Sequence, residues 1–395
     1  VLLDTFPPEK RGVAMGLFGV AAMFSPLAGP YFGGYLTDNW SWQWVFIINI
    51  PLCIISVILI KFILPDNKPV PKEQRKPFDM LGFISIAMAM GCLQIVLDKG
   101  EQFNWFDTTW ICWLAGISVF SFVFFYVWEL ECDSPIIDIR VFKDRNFLYG
   151  TAISSVVNIM LYATLLLVPM FVQILLGYSP SMAGFSMFPR AVVCLIGLIV
   201  FGELSRYIEP RILTTIGFII MGGSVFWMSQ LSTTASLRAI VIPNIILCIG
   251  VAAAFVPITA LAFLTLPSSK RVDAASLHAF FKNIVTAMST AMSSTFVTRV
   301  SQVHQNYLVE HLSWHNPMFR IHLANLQHKF VKYYAPVYAA KKANGALYRE
   351  MLHQCKLCAF YDVFLLLAFL SFMVIPLIYL LKTSKMLEKQ KSKEI

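Results

Sequence analysis

Ten stretches of this chain are each long and apolar enough to cross a lipid bilayer, at 12–36, 44–64, 79–98, 109–131, 147–176, 182–206, 211–232, 239–266, 274–298 and 359–382. A hydrocarbon core of about 30 Å needs about 20 mostly apolar residues in helical form. Lipid offers backbone N–H and C=O groups no partner, so each stretch must close its hydrogen bonds internally as an α-helix. The sequence therefore predicts an all-α polytopic membrane protein. Only 13% of the residues are charged, about half the share typical of soluble domains.

The net charge of +9 is explained by its placement. If the lysine-rich end 382–395 is cytoplasmic, the loops that alternate onto the same side are those around Lys10, Lys68, Arg140, Arg206 and Lys270. Together with the tail they hold 19 of the 31 basic residues. The short loops of the other side keep only Lys99 and Arg238. This bias is the positive-inside pattern, so the basic charge speaks for topology, with a cytoplasmic C-terminus, and against nucleic acid.

The loop 65–78 is rich in proline and charge, as a tether between helix groups should be, and 132–146 marks a second boundary. The segment 299–358 is amphipathic and interrupted by Pro317 and Pro336, which predicts short outward-facing helices lying on the membrane or on a partner. It holds six of the seven histidines. His304, His311, His315 and His322 recur at helical spacing, yet Glu310-His311-Leu-Ser-Trp-His315 is not the HExxH metal pattern, so they read as a polar face and no metal is assigned. Cys355-Lys-Leu-Cys358 is a lone CxxC, a weak redox signal. Val1 to Arg11 reads as the end of an apolar helix running into a basic loop, so chain is expected upstream of it.

The first span carries Ser25-Pro-Leu-Ala-Gly29-Pro30-Tyr-Phe-Gly33-Gly34. Ser25, Gly29 and Gly33 recur every four residues, a face on which small side chains let another helix approach. Pro26 and Pro30 lie on the adjacent face, where each removes a backbone hydrogen bond.

That run resembles the antiporter signature of the major facilitator superfamily, with Ser25 in place of its first glycine. Trp42-Gln-Trp-Val-Phe-Ile-Ile-Asn49-Ile-Pro51, Leu97-Asp-Lys-Gly100, Pro135-Ile-Ile-Asp138, Gly177-Tyr-Ser-Pro180 with Ala183-Gly184, Pro189-Arg190 and Leu266-Pro267 narrow the resemblance to the fourteen-helix drug:proton antiporters of the EmrB/QacA type. The resemblance implies that the ten spans are helices five to fourteen. On that alignment 1–64 ends the first bundle, 79–131 is an inserted pair, and 147–298 with 359–382 forms the second bundle. It also implies that the proton-coupling residues lie upstream of Val1. Lipophilic or cationic drugs and protons are the implied partners, with a periplasmic adaptor and an outer-membrane channel beside an inner-membrane protein. No cofactor is implied. The chain departs from the family pattern at Gln43 and Cys53, and at Lys282, Thr286 and Ser289, where relatives carry Arg and two Gly.

Charges within a span cost about 2.5–3.5 kcal/mol at its centre and usually face a cavity or partner. Arg190 and Lys282 are accordingly candidate cavity or gating residues, with Gln173 and Asn49 as polar companions. Asp98 and Glu203 lie near span ends and read as solvated or ion-paired. No constellation suited to catalysis is present, and no Gly-Lys dipeptide, so ATP cannot be held in a P-loop and an ion gradient is the expected energy source. The alternative expectation is a membrane remnant or scaffold that moves nothing, because one bundle would keep two of its six helices.

Overall fold

The computed structural model describes residues 26, 29–63, 79–132, 139–205, 207–267, 270–312 and 315–382, with the backbone alone at Val272 and His311. Ser25, the loop 65–78, the Pro135–Asp138 stretch and the basic tail lie outside the described residues. Eleven helices run through the rest: α1 (29–39), α2 (Trp44–Ile63), α3 (Met80–Lys99), α4 (Thr109–Glu131), α5 (Arg145–Ile174), α6 (Pro180–Leu204), α7 (Pro210–Met228), α8 (Leu237–Phe263), α9 (Arg271–His311), α10 (Pro317–Val331) and α11 (Pro336–Ile378). Among the described residues there is no strand.

Eight of the ten expected spans stand as helices long and apolar enough to cross a membrane. The other two differ for separate reasons. The span 12–36 is mostly outside the described residues, and 274–298 sits in α9, whose His278, Lys282 and many hydroxyl groups lower its apolar character.

Helices α5 to α9 and α11 share one apolar core, built on Phe171, Met187, Phe218, Leu247, Val297 and Phe360 among others. Apolar side chains gain little from leaving lipid, so van der Waals packing and interhelical hydrogen bonds must hold such a bundle. Helix α8 supplies the packing through small residues. A methyl on Gly250 would press on the Gly217 carbonyl at 2.8 Å, and one on Gly217 would meet Gly250 and Ala254 at 2.7 Å. Gly197 faces Ala252 and Gly150 faces Ala262 in the same manner. Polar ties add to this: Ser371 donates to the Phe218 carbonyl at 2.8 Å, Ser289 to that of Ile159 at 3.1 Å, and Lys382 N–H to Asn146 Oδ1 at 2.7 Å.

Helix starts are chemically marked. Asp79 accepts from Gly82 N–H at 2.9 Å and from Trp128 Nε1 at 2.9 Å, capping α3 while tying it to α4. Asp144 caps α5 and also accepts from Thr265 on the segment after α8. Gly177, at φ 69°, makes the turn into α6.

The segment 299–358 is not a set of separate short helices. Helix α9 continues unbroken to His311, and α11 begins at Pro336 and runs straight into the last span. Pro317 and Pro336 each start a helix at its first turn rather than breaking one, a position where the missing N–H costs nothing. Helix α10 packs back on α11 through Leu323, Leu326 and Ala343, so α9, α10 and α11 build an arm beyond the membrane-spanning part.

A paired test follows from the glycine contacts. Gly217→Leu should destabilise the bundle by at least the about 1–3 kcal/mol typical of overpacking, while Gly223→Leu, with nothing within 4 Å of its added carbon, should be tolerated. Thermal unfolding of the purified variants in detergent reads the difference.

Candidate functional site

Helix α1 meets the six-helix bundle on α6. A methyl on Gly34 would overlap the Pro180 carbonyl, and one on Gly184 would overlap that of Pro30, so the two backbones touch at both positions. Ser181 Oγ donates to the Gly34 carbonyl at 3.2 Å, and the Tyr31 and Phe188 rings lie 5.0 Å apart. Gly29 and Gly33 have no described atom within 4 Å of an added carbon. The contact with α6 therefore uses the Pro30–Gly34 face, and among the described residues nothing packs on the Gly29–Gly33 face that the four-residue spacing singled out. Glycine, with no Cβ, is what lets the facing carbonyl come this close at both positions.

Asp38 completes the crossing. Its Oδ2 accepts from Ser181 N–H at 2.7 Å, at the start of α6, where free N–H groups and the helix dipole favour an anion. The bonds from Ser181 hold this exposed carboxyl below its usual range. A carboxylate with a depressed pKa keeps its contact above its unfolded value and loses it only as pH falls through the lower folded one. The crossing should therefore persist unchanged from neutral pH to about 4.

Arg190 is fully buried in the bundle. Its guanidinium donates to Asn244 Oδ1 on α8 at 3.1 Å and to the Leu161 carbonyl on α5 at 2.9 Å, and its Nε makes no hydrogen bond. Asn244 in turn donates to Met187 Sδ at 3.4 Å. No carboxylate forms an ion pair with Arg190 among the described residues. A permanent cation thus ties three helices together through neutral acceptors, at a burial cost that pairing with a carboxylate would ordinarily offset.

Lys282 is half-buried on α9, one turn beyond His278, whose Nδ1 lies 3.4 Å from Thr151 Oγ1 and whose ring packs edge-on against Phe263 at 5.7 Å. Neither joins Arg190. Gln173 is exposed near the end of α5, and Asn49 is exposed on α2, donating to its own helix at Val45 O, 3.1 Å. The four polar candidates are therefore not brought to one place. Asp98 is paired with Gln94 at 3.0 Å, and Glu203 is exposed at the far end of α6. The arm histidines act between helices: His304 meets Asp362 at 2.7 Å, His322 meets Glu350 at 2.9 Å and His353 meets the Leu175 carbonyl at 2.9 Å. Asp38, Asn244 and His278 were not singled out from sequence, and the only signal at Asn244 was an amide inside an apolar run.

The comparisons decide what kind of molecule this is. Residues 1–290 match the profile of the Major Facilitator Superfamily. The chain belongs to that superfamily. It is 29% identical over 319 residues to the multidrug export protein EmrB of Haemophilus influenzae, and 30% identical over 322 residues to the probable multidrug resistance protein EmrY of Escherichia coli. These alignments cover 80% and 81% of the chain, and the chain spans 62% of the length of each of these relatives. The crystal structure of a bacterial homologue of the human lysosomal transporter Spinster shares the fold at a TM-score of 0.51 and 14% identity, covering 96% of this chain and 71% of that one. Superfamily membership makes this a multi-pass transporter-type protein rather than an enzyme, related to the EmrB type of exporter.

The crossing can be checked by cysteine cross-linking. Cysteines placed at Tyr31 and Phe188, whose rings lie 5.0 Å apart, in a chain otherwise free of cysteine should be joined by a short thiol-bridging reagent. Adding Gly184→Leu, which drives a side chain into the Pro30 backbone, should cut the yield at least tenfold.

Proposed function

We propose that this chain is the permease of a proton-driven exporter of lipophilic or cationic drugs, set in the inner membrane with its C-terminus in the cytoplasm. The observation that carries the reading is the α1–α6 crossing. It joins the two helices by backbone contact at two positions, the Tyr31 ring, and the bonds of Ser181 to Gly34 and to one exposed carboxylate, an interface that can part without opening the core shared by α5 to α9 and α11. Export by alternating access needs two helix groups that rock against each other around a central site, and this crossing would be the seal on the outward side. The face on which α1 ends and α6 begins is the outward one, because the basic loops gather at the other.

Arg190 belongs to the moving machinery on this reading. A cation bound to α5 and α8 by neutral acceptors alone can exchange partners as the helices shift, whereas a buried ion pair would lock them. The energy is adequate: one charge moved through 100 mV releases about 2.3 kcal/mol, before any pH gradient is added. The EmrB and EmrY relationships support drugs as the cargo, and a periplasmic adaptor with an outer-membrane channel would be the continuing route that the sequence resemblance implies.

The test is expression in a host lacking its own efflux pumps, following a fluorescent lipophilic cation. Export that stops on adding a protonophore is the expected result. Insertion at normal levels with no export would favour the remnant reading. Arg190→Gln should lower the initial export rate at least tenfold while leaving expression and thermal stability close to the parent, since it removes hydrogen bonds worth about 1.5–3 kcal/mol each together with the burial cost of the charge.

A further inference from the structure

We infer that the tip of the α10–α11 arm is a docking site for an acidic protein surface. Between His311 and Arg349 the sequence contains no Asp or Glu and six cations, Arg320, Lys329, Lys332, Lys341, Lys342 and Arg349. The arm's own packing uses the opposite faces of its helices, through Leu323, Leu326, Ala343 and their neighbours, and that packing leaves the tip apolar as well as basic. Tyr333 is 74% exposed, Val337 69% and Tyr338 66%. Lys332 lies over the Tyr333 ring at 6.0 Å and Lys342 over the Tyr334 ring at 5.7 Å. Tyrosine rings beside cations are what the centres of protein interfaces are enriched in.

The start of α11 sharpens the electrostatics. Ala335 provides no side-chain cap and the first turn has no acidic residue, so its free N–H groups add positive potential where Lys341 and Lys342 follow. Lys341 and Lys342 stand in the second turn, and no ion pair to either is seen among the described residues. The nearest carboxylate in sequence, Glu350, is engaged by His322 at 2.9 Å. The tip therefore presents a positive potential that an acidic surface on another molecule would complement.

Geometry selects a protein. Helix α11 is continuous from Pro336 to Ile378; His353 is level with the outward end of α5 at Leu175, and the 17 or so residues ahead of it carry the tip about 25 Å farther out at 1.5 Å per residue. That is several times the screening length of about 8 Å at physiological salt, so the headgroups around the chain's own spans cannot serve. A second copy is disfavoured by like charge. The inference deepens the partner reading above by giving the partner's chemistry, and rests on that reading for the compartment in which the arm stands.

A photo-cross-linking residue placed at Tyr333 or Tyr338 in the full chain in living cells tests this, with the same residue at Phe369 on the span as a control. The expected result is a protein adduct at both tip positions whose cross-linked peptide is rich in Asp and Glu. Its yield should fall at least tenfold in the K332E/K341E/K342E variant, while export into vesicles by the purified variant stays within twofold of the parent. A milder K332Q/K341Q/K342Q variant should lower the yield severalfold and stands in should the reversal not insert. Adducts with lipid only, with a second copy of the chain, or with a yield indifferent to these charges would overturn the inference, as would no adduct at all. A parent chain that forms the charge-dependent adduct yet exports nothing would count against the transport reading alone.

Discussion

Close contact between helix backbones is the constraint on which this molecule depends. In lipid, burying another leucine gains little, so helices hold together where small residues let dispersion and interhelical hydrogen bonds act at short range. Helix α8 meets this requirement with Gly250 and the alanines around it, and α5, α6 and α7 pack against it. The α1–α6 crossing meets the same requirement with less surface: two backbone contacts, the Tyr31 ring against Phe188, and the bonds of Ser181 to Gly34 and Asp38. The same physics thus yields a permanent bundle in one place and a separable contact in another, and the difference lies in how much side-chain surface interdigitates around the glycines.

The spans were legible in the sequence because a bilayer imposes a length and an apolar composition that survive any tertiary arrangement. The arm was not, because a proline reads equally as a helix breaker or as the first residue of a helix. Pro317 and Pro336 prove to be the latter, and only the structure shows α9 and α11 passing beyond the membrane without a break. The antiporter-like run was legible as a site of tight packing, but not which of its faces meets α6. Four-residue periodicity points to Gly29 and Gly33, whereas the contact falls on Pro30 and Gly34 because the neighbouring helix offers Gly184 and the backbone of Pro180 there. A partner's shape is not written in the periodicity of one helix.

Charge tells a similar story. That Arg190 would be costly in a span was evident from its position, but its partners lie 29 and 54 residues away on two other helices, a pairing that no local pattern encodes. Lys282, Gln173 and Asn49 were plausible companions by residue type, and the fold separates them. At the other extreme the stretch from His311 to Arg349 collects six cations with no Asp or Glu among them, a surplus that local pattern alone does not explain.

The central claim is that the α1–α6 contact opens and closes during export. Spin labels at Tyr35 and Met182, both exposed beside the crossing, report it directly as a distance distribution in proteoliposomes, measured with and without an imposed pH gradient and a lipophilic cation. Alternating access requires a short and a long population whose ratio shifts when gradient and drug are present together. A single short distance, unmoved under every condition while the protein exports the cation, would contradict the account.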